Sequence, residues 1–303
     1  MISIVIPVFN EEKSLKELYQ RINNVLKKDW EIIFVDDGST DSSALQISKI
    51  AEKDKRVSLS SLSRHLGKAK ALMKGFQNSK GEIVVTLDAD LQDEPEEIPK
   101  FLAKIDEGYD LVNGWKKQRK DSLLVVLFSR ILNFFISKFT ALKIHDINCG
   151  FKAYKKSVVT SLNLYGDLYR FIPILAVNKG FCVIEIEVNH APRKYGHSKY
   201  GLFKGFQGFF DIFTILFLTK FKDRPLHFFG PFGFLLFLTG FFISLYLTIL
   251  WLQGESIGRR PLLILGLLLI ITGIQIFTTG LLAELIISVF HEKRNEKNYH
   301  HDS

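Results

Sequence analysis

Cysteine is scarce in this chain. Its 303 residues include only Cys149 and Cys182, and these show neither metal-ligand nor disulfide spacing. That argues against a disulfide framework and a thiolate metal centre, and both thiols are expected as reduced packing residues. No Gly-x-Gly-x-x-Gly turn occurs, so a conventional dinucleotide fold is not expected. There is no internal repeat and no low-complexity segment. No basic region precedes Ile2 to Val8, which reads directly as a strand, so a signal peptide is not expected.

Charge is the most informative absence. No Asp, Glu, Lys or Arg lies between Arg224 and Glu255, and none between Arg260 and Glu284. Each gap exceeds the roughly 20 apolar residues that cross a bilayer. Membrane spans are therefore expected at about 227–252 and 261–287, as a hairpin within 225–290, with 291–303 as a polar, disordered tail. Lys220, Lys222 and Arg224 flank the first span and Lys293, Arg294 and Lys297 follow the second, whereas the short connection has Arg259 and Arg260 offset by Glu255. The excess of cations on cytoplasmic flanks predicts that both ends, and a domain over 1–199, lie in the cytoplasm. The formal charge of +8 suits anionic lipid. With two spans present, the membrane rather than nucleic acid is the expected counter-charge.

What is abundant is apolar and aromatic: the chain is 47% hydrophobic with 27 Phe. Two further segments are apolar enough to imitate spans but are amphipathic. Ser122 to Ala141 carries Arg130, Asn133, Ser137 and Lys138 on one helical face. Tyr200 to Phe221 sets Phe203, Phe206, Phe209, Phe210, Phe213 and Phe217 against Lys204, Gln207 and Asp211. Residues 200–224 are accordingly expected as helices lying in the bilayer interface.

The first half alternates strand-like with helical runs. Ser3 to Ile6, Glu31 to Val35, Val57 to Leu62, Ile83 to Leu87 and Tyr109 to Val112 read as strands. Leu15, Leu18, Ile22 and Val25 have helical spacing, and another helix is expected from an N-cap near Asp41. Such alternation predicts an α/β fold on a mostly parallel sheet. Three of these strands end in polar clusters: Pro7-Val-Phe-Asn-Glu11, Asp36-Asp37-Gly38-Ser39 and Asp88-Ala89-Asp90, with Gln92 and Asp93 close behind. Ligands of open α/β sheets bind beyond the carboxyl ends of the strands, so the clusters should share one cleft. Two carboxylates one residue apart suit a hard divalent cation that also takes phosphate oxygens.

With these residues in place, the chain resembles the family 2 glycosyltransferases of the GT-A fold. His145-Asp-Ile-Asn-Cys-Gly-Phe-Lys-Ala-Tyr154, Tyr169-Arg-Phe-Ile-Pro173, Arg193-Lys-Tyr-Gly-His-Ser-Lys-Tyr-Gly201 and Asp223-Arg-Pro-Leu-His-Phe-Phe-Gly230 narrow the likeness. They are similar to polyprenyl-phosphate glycosyltransferases, the group containing dolichol-phosphate mannose synthase and bacterial undecaprenyl-phosphate glucosyltransferases. The resemblance runs from Ile4 to about Ile287. It implies inverting transfer of one sugar from a nucleoside-diphosphate sugar to a membrane polyprenyl phosphate. By the same resemblance Pro7, Phe9, Glu11 and Asp37 would hold the nucleoside, and Gly67, Lys68, Ala89 and Lys199 would line the nucleotide-sugar site. Asp88, Asp90 and Gln92 would hold Mg²⁺ or Mn²⁺ and the diphosphate. Asp146 and Asp90 would be the catalytic carboxylates. The likeness of the two-span hairpin to the bacterial glucosyltransferase subgroup implies UDP-glucose as donor, with GDP-mannose as the alternative, and the family resemblance implies a homo-oligomer, as a tetramer.

An anionic acceptor needs cations, and Arg119, Arg130, Arg170, Arg193, Lys194 and Lys199 are the candidates, arginine being suited to bidentate phosphate contact. Arg193 to Gly201, with two glycines, suits a mobile flap. A processive polysaccharide synthase is set aside because the chain has no Gln-x-x-Arg-Trp motif and too few spans. A membrane-tethered nucleotide-sugar sensor would not need the Asp88/Asp90 pair. Glu284, an ionisable residue inside a span, is a functional candidate by default and is left without a role.

Overall fold

The computed structural model describes residues 1–27, 29–117, 144–192, 224–256 and 261–299, with 194, 214, 217 and 221 as isolated positions; of 290–299 only the backbone is described. The chain divides into two compact units, Met1–Ile212 and Phe213–Ser303.

In the first unit the alternating pattern becomes a mixed seven-stranded sheet. Its strands are β1 (Ile2–Val8), β2 (Trp30–Asp36), β3 (Val57–Ser61), β4 (Ile83–Thr86), β5 (Leu111–Trp115), β6 (Lys152–Lys155) and β7 (Val183–Glu187). The spatial order is β3-β2-β1-β4-β6-β5-β7. Every neighbouring pair is parallel except those of β6, which runs antiparallel to both β4 and β5. The expected mostly parallel sheet is therefore present, with one reversed strand. Because β6 is reversed, its amino end lies on the rim formed by the carboxyl ends of the others. The register shows this: Val8 opposes Asp36, Thr86 opposes Lys152, and Asn113 opposes both Lys152 and Glu185.

The helices form for local reasons. In α1 (Leu15–Val25) the residues at helical spacing, Leu15, Leu18 and Ile22, are the buried ones. Helix α2 spans Ser43–Lys53, and its N-cap is Ser42 rather than Asp41. Asp41 Oδ1 instead accepts the Ser43 N–H at 2.9 Å, the side-chain turn that favours aspartate just outside a helix. Helix α3 is Lys68–Asn78, α4 Ile98–Asp106, α5 Lys156–Ser161 and α6 Ile172–Asn178. The core packs their apolar faces on the sheet. Phe101 of α4 stacks on Phe151, just ahead of β6, with ring centroids 4.2 Å apart, and both rings are fully buried. Truncating such a ring to alanine typically costs about 3–5 kcal/mol. Of the two cysteines, Cys149 is buried as expected, whereas Cys182 is exposed at the entry to the edge strand β7.

The second unit contains α7 (Leu226–Leu252) and α8 (Pro261–Tyr299). Both are long and apolar enough to cross a membrane, over Leu226–Leu252 and Pro261–Val289, and only 11% of each span is buried. Soluble core helices would be mostly covered, whereas these two present apolar surface nearly all round. Glycines let the backbones touch: a Cβ on Gly240 would meet the Gly266 carbonyl at 2.6 Å, and one on Gly273 would meet the Phe237 nitrogen at 2.5 Å. Small residues at such seams are how membrane helices pack closely. Instead of a disordered tail from residue 291, α8 continues to Tyr299, in a stretch rich in the good helix formers Glu, Lys and Arg. The two amphipathic segments, Ser122 to Ala141 and most of Tyr200 to Phe221, lie outside the described residues.

Candidate functional site

The three polar clusters converge on the rim, beside the point where the sheet order reverses between β1 and β4. Two residues there hold backbone conformations that L side chains rarely adopt: Asn10 after β1 (φ 56°) and Leu91 after β4 (φ 62°). Asparagine tolerates this region, but a buried leucine does not adopt it without strain, and strain of that kind collects at functional sites.

Pro7 lies within β1 opposite Val35. Phe9, just beyond, stacks on His65 with centroids 4.0 Å apart. The Glu11 N–H donates to Ser43 Oγ at 2.9 Å. Asp37 is buried and receives three donors: the Leu66 N–H on Oδ1 at 2.7 Å, the Gly67 N–H on Oδ2 at 3.0 Å, and His65 Nδ1 at 2.8 Å from Oδ2. Its carboxylate thus fixes the loop that starts α3, where Gly67 is the N-cap with φ 92°.

Lys68, the first residue of α3, places its ammonium 2.5 Å from Asp88 Oδ1 and 5.4 Å from the Tyr169 ring centre. Asp90 Oδ1 accepts the Gln92 N–H at 3.2 Å, and Gln92 Nε2 lies 3.4 Å from His190 Nε2. Ala89, between the two acids, is buried. Gly150 packs against the opposite side of Asp88: a Cβ there would fall 2.5 Å from Asp88 Oδ2, so only glycine leaves the carboxylate its place.

Behind this loop lies a charged layer that sequence reasoning missed. Lys116 pairs with Asp93 at 2.7 Å with both side chains nearly or fully buried, and Asp93 Oδ2 accepts the Asp88 N–H at 3.4 Å. Removing one partner of a buried pair typically costs about 3–5 kcal/mol. Burial alone would lower the Lys116 pKa; the Asp93 carboxylate outweighs it, with a further contribution from Asp88, and holds Lys116 charged. Lys152 is buried with its ammonium on the Cys149 carbonyl, and burial pulls its pKa down to about 8. Burial pushes the Cys149 thiol up to about 12, so it stays protonated. For Asp88, burial pushes upward, but Lys68 first and then Lys116 hold it below the usual carboxylate range. The sequence signal for this layer was a lysine inside an apolar run: Lys152 sits between Phe151 and Ala153.

Asp146 is buried beside Asn113. Arg170 lies on the 3₁₀ turn Leu168–Phe171, 3.7 Å from Asp167, and Lys194 pairs with Glu17 at 2.8 Å. Arg119, Arg130, Arg193 and Lys199 are outside the described residues.

Among the described residues no group of three His, Cys, Asp or Glu stands ready to hold a metal. The donor set at the rim is two carboxylates and an amide, Asp88, Asp90 and Gln92. All offer hard oxygens, the kind that bind Mg²⁺ or Mn²⁺ when substrate phosphates complete the shell, so these residues fit such an ion.

Compared with known proteins, residues 3–162 match Glycosyl transferase family 2. The chain is 34% identical to a dodecaprenyl-phosphate galacturonate synthase of Rhizobium johnstonii, over 98% of this chain and 91% of that protein. It is 36% identical to an undecaprenyl-phosphate 4-deoxy-4-formamido-L-arabinose transferase of Enterobacter sp. (strain 638), over 98% of this chain and 91% of that protein. Among solved structures, it resembles glucosyl-3-phosphoglycerate synthase from Mycobacterium tuberculosis in complex with Mn²⁺, UDP and phosphoglyceric acid. There the TM-score is 0.58 at 19% identity, covering 72% of this chain and 78% of that one, a likeness of fold.

Proposed function

We propose, from the premise that this chain belongs to glycosyl transferase family 2 and is a glycosyltransferase, that it transfers one sugar from a nucleoside-diphosphate sugar to a polyprenyl phosphate at the cytoplasmic face of a membrane. The carrying observation is the Asp88/Asp90 pair on a strained turn at the sheet rim, in a chain that also has two apolar spans.

A phosphate oxygen of the acceptor bonds to the anomeric carbon as the bond to the diphosphate breaks on the opposite face, which inverts the centre. Asp88, Asp90 and Gln92 would hold Mg²⁺ or Mn²⁺, and the ion supplies Lewis-acid stabilisation of charge growing on the diphosphate. Lys68 brings a further cation to the same place. Pro7, Phe9, Glu11 and the Asp37-anchored loop to Gly67 bind the nucleoside. An acceptor monoester whose second pKa is about 6 arrives largely anionic, so Asp146 orients the acceptor or the sugar hydroxyls rather than removing a proton. Arg170 is an acceptor-phosphate cation, together with Arg119, Arg130, Arg193 and Lys199.

For the donor sugar, the hairpin resemblance supports UDP-glucose. The full-length relatives, which carry galacturonate and a formamido-arabinose in their names, support a second reading, an acidic or 4-substituted sugar. Incubating membranes with undecaprenyl phosphate and labelled UDP-glucose, UDP-galacturonate, UDP-linked 4-formamido-arabinose or GDP-mannose decides between them. Label is expected in the organic-soluble lipid fraction for one donor, and Asp90→Ala is expected to lower that transfer at least about 100-fold, as loss of a transition-state charge stabiliser does. Undiminished transfer by a folded Asp90→Ala protein, or label only in insoluble polymer, overturns the reading.

A further inference from the structure

Glu185 is an acid at the centre of β7, between Ile184 and Ile186. It stands on β7 directly opposite Asn113 of β5, with its side chain only 7% exposed. No part of the proposed function above uses it, yet it is the most heavily bonded carboxylate next to Asp146.

Its two oxygens take successive backbone N–H groups. Oε1 accepts from Asp146 at 2.9 Å and Oε2 accepts from His145 at 2.8 Å. The His145 Nδ1 atom lies 2.9 Å from Oε2, and the imidazole stacks on Trp115 with centroids 4.3 Å apart. Asn113 completes the arrangement from the neighbouring strand: its Nδ2 donates to the Asp146 carbonyl at 2.8 Å and to Glu185 Oε1 at 3.3 Å. Both peptide groups of Asp146, amide and carbonyl, are thereby tied to two side chains that project from paired strands. Hydrogen bonds to an ionised acceptor are roughly twice as strong as neutral ones, and strands are stiffer supports than the loop they hold.

We infer that Glu185, with Asn113, is a positioning residue that fixes the Asp146 carboxylate for transfer, a role that rests on Asp146 acting on the acceptor or the sugar. Glu185 touches neither substrate; it acts through the backbone of residues 145 and 146. Supporting residues of this kind typically change activity by about 10–100-fold when removed.

The test uses the full-length protein in detergent with undecaprenyl phosphate and whichever donor of the panel above is active. Glu185→Ala is expected to lower kcat by about 10–100-fold with KM for the donor within about twofold, and to speed amide exchange in the peptide around Asp146. Glu185→Gln, of the same shape, keeps an oxygen for the Asp146 N–H but turns its NH2 group on the His145 N–H, so it recovers only part of the rate, whereas a purely packing role would be restored in full. If Glu185→Ala does not fold, Glu185→Asp, which withdraws the charge by one methylene, carries the same expectation. Residues that act as a unit are non-additive, so adding Glu185→Ala to Asp146→Asn should slow that variant no further. An equal loss in both backgrounds, or a Glu185→Ala protein with unchanged kcat, overturns the positioning role. Asp146→Asn with wild-type kcat and lipid KM instead sinks the role of Asp146 itself. If Asp146→Asn is inactive, the kcat-against-KM split and the glutamine rescue decide alone.

Discussion

Asp54 receives the Tyr19 hydroxyl at 2.9 Å and two guanidinium nitrogens of Arg56 at 3.0 and 2.8 Å, while Arg56 lies 3.8 Å over the Trp30 ring. The Arg56 side chain, first among the causes, brings the Asp54 pKa from 3.8 to about 2. A carboxyl whose pKa is lower folded than unfolded stabilises the protein above the unfolded value, and that contribution is lost as pH falls towards the folded one. Since Arg56 is 48% exposed, solvent screening leaves about 1 kcal/mol. Asp54→Asn should therefore lower the melting temperature at pH 7, and the gap from wild type should narrow steadily below about pH 4. A gap that stays constant down to pH 3 refutes the assignment. This cluster was invisible in the sequence because Tyr19 and Asp54 are brought together by folding. By contrast, the Asp88/Asp90 pair announced itself because an abrupt run of acids after β-formers is a local pattern.

At the scale of elements the same division holds. β1, β2 and β4 were legible because each is a run of β-branched residues between turns, and Leu15, Leu18 and Ile22 gave α1 its face. β6 was read as part of a motif and not as a strand: Lys152 to Lys155 has two lysines in four residues, and its extended form comes from pairing on both sides. β7 lacks such a run as well: Glu185 and Glu187 alternate with Ile184 and Ile186. Glu284, left without a role by pattern alone, accepts the Leu226 N–H at 3.0 Å. It satisfies a donor at the start of α7, where the helix dipole also favours an anion. The glycine seam gives a sharper test. Gly240→Leu would drive side-chain atoms into the backbone of α8, a kind of overpacking that costs about 1–3 kcal/mol. Its melting temperature in detergent should fall clearly, while Thr239→Leu, on an exposed position one residue away, should not change it. Equal effects of the two would show that the seam is not tight.

For the whole molecule, the question of orientation reduces to two thiols. Cys182 is exposed and Cys149 is buried, with its thiolate suppressed, so a membrane-impermeant maleimide should modify one site only. With the catalytic unit on the cytoplasmic side, intact cells should leave Cys182 unlabelled and inside-out vesicles should label it, an effect abolished by Cys182→Ser. Labelling in intact cells would overturn the proposed orientation.

The reversed strand has a consequence for how this scaffold diversifies. Since Asn113 of β5 pairs with Lys152 of antiparallel β6, the polypeptide departs after Trp115 and returns before Lys152 on one and the same border of the sheet. A change of chain length between Trp115 and His145 can be taken up at that border while the strand ladder beneath keeps its pairing.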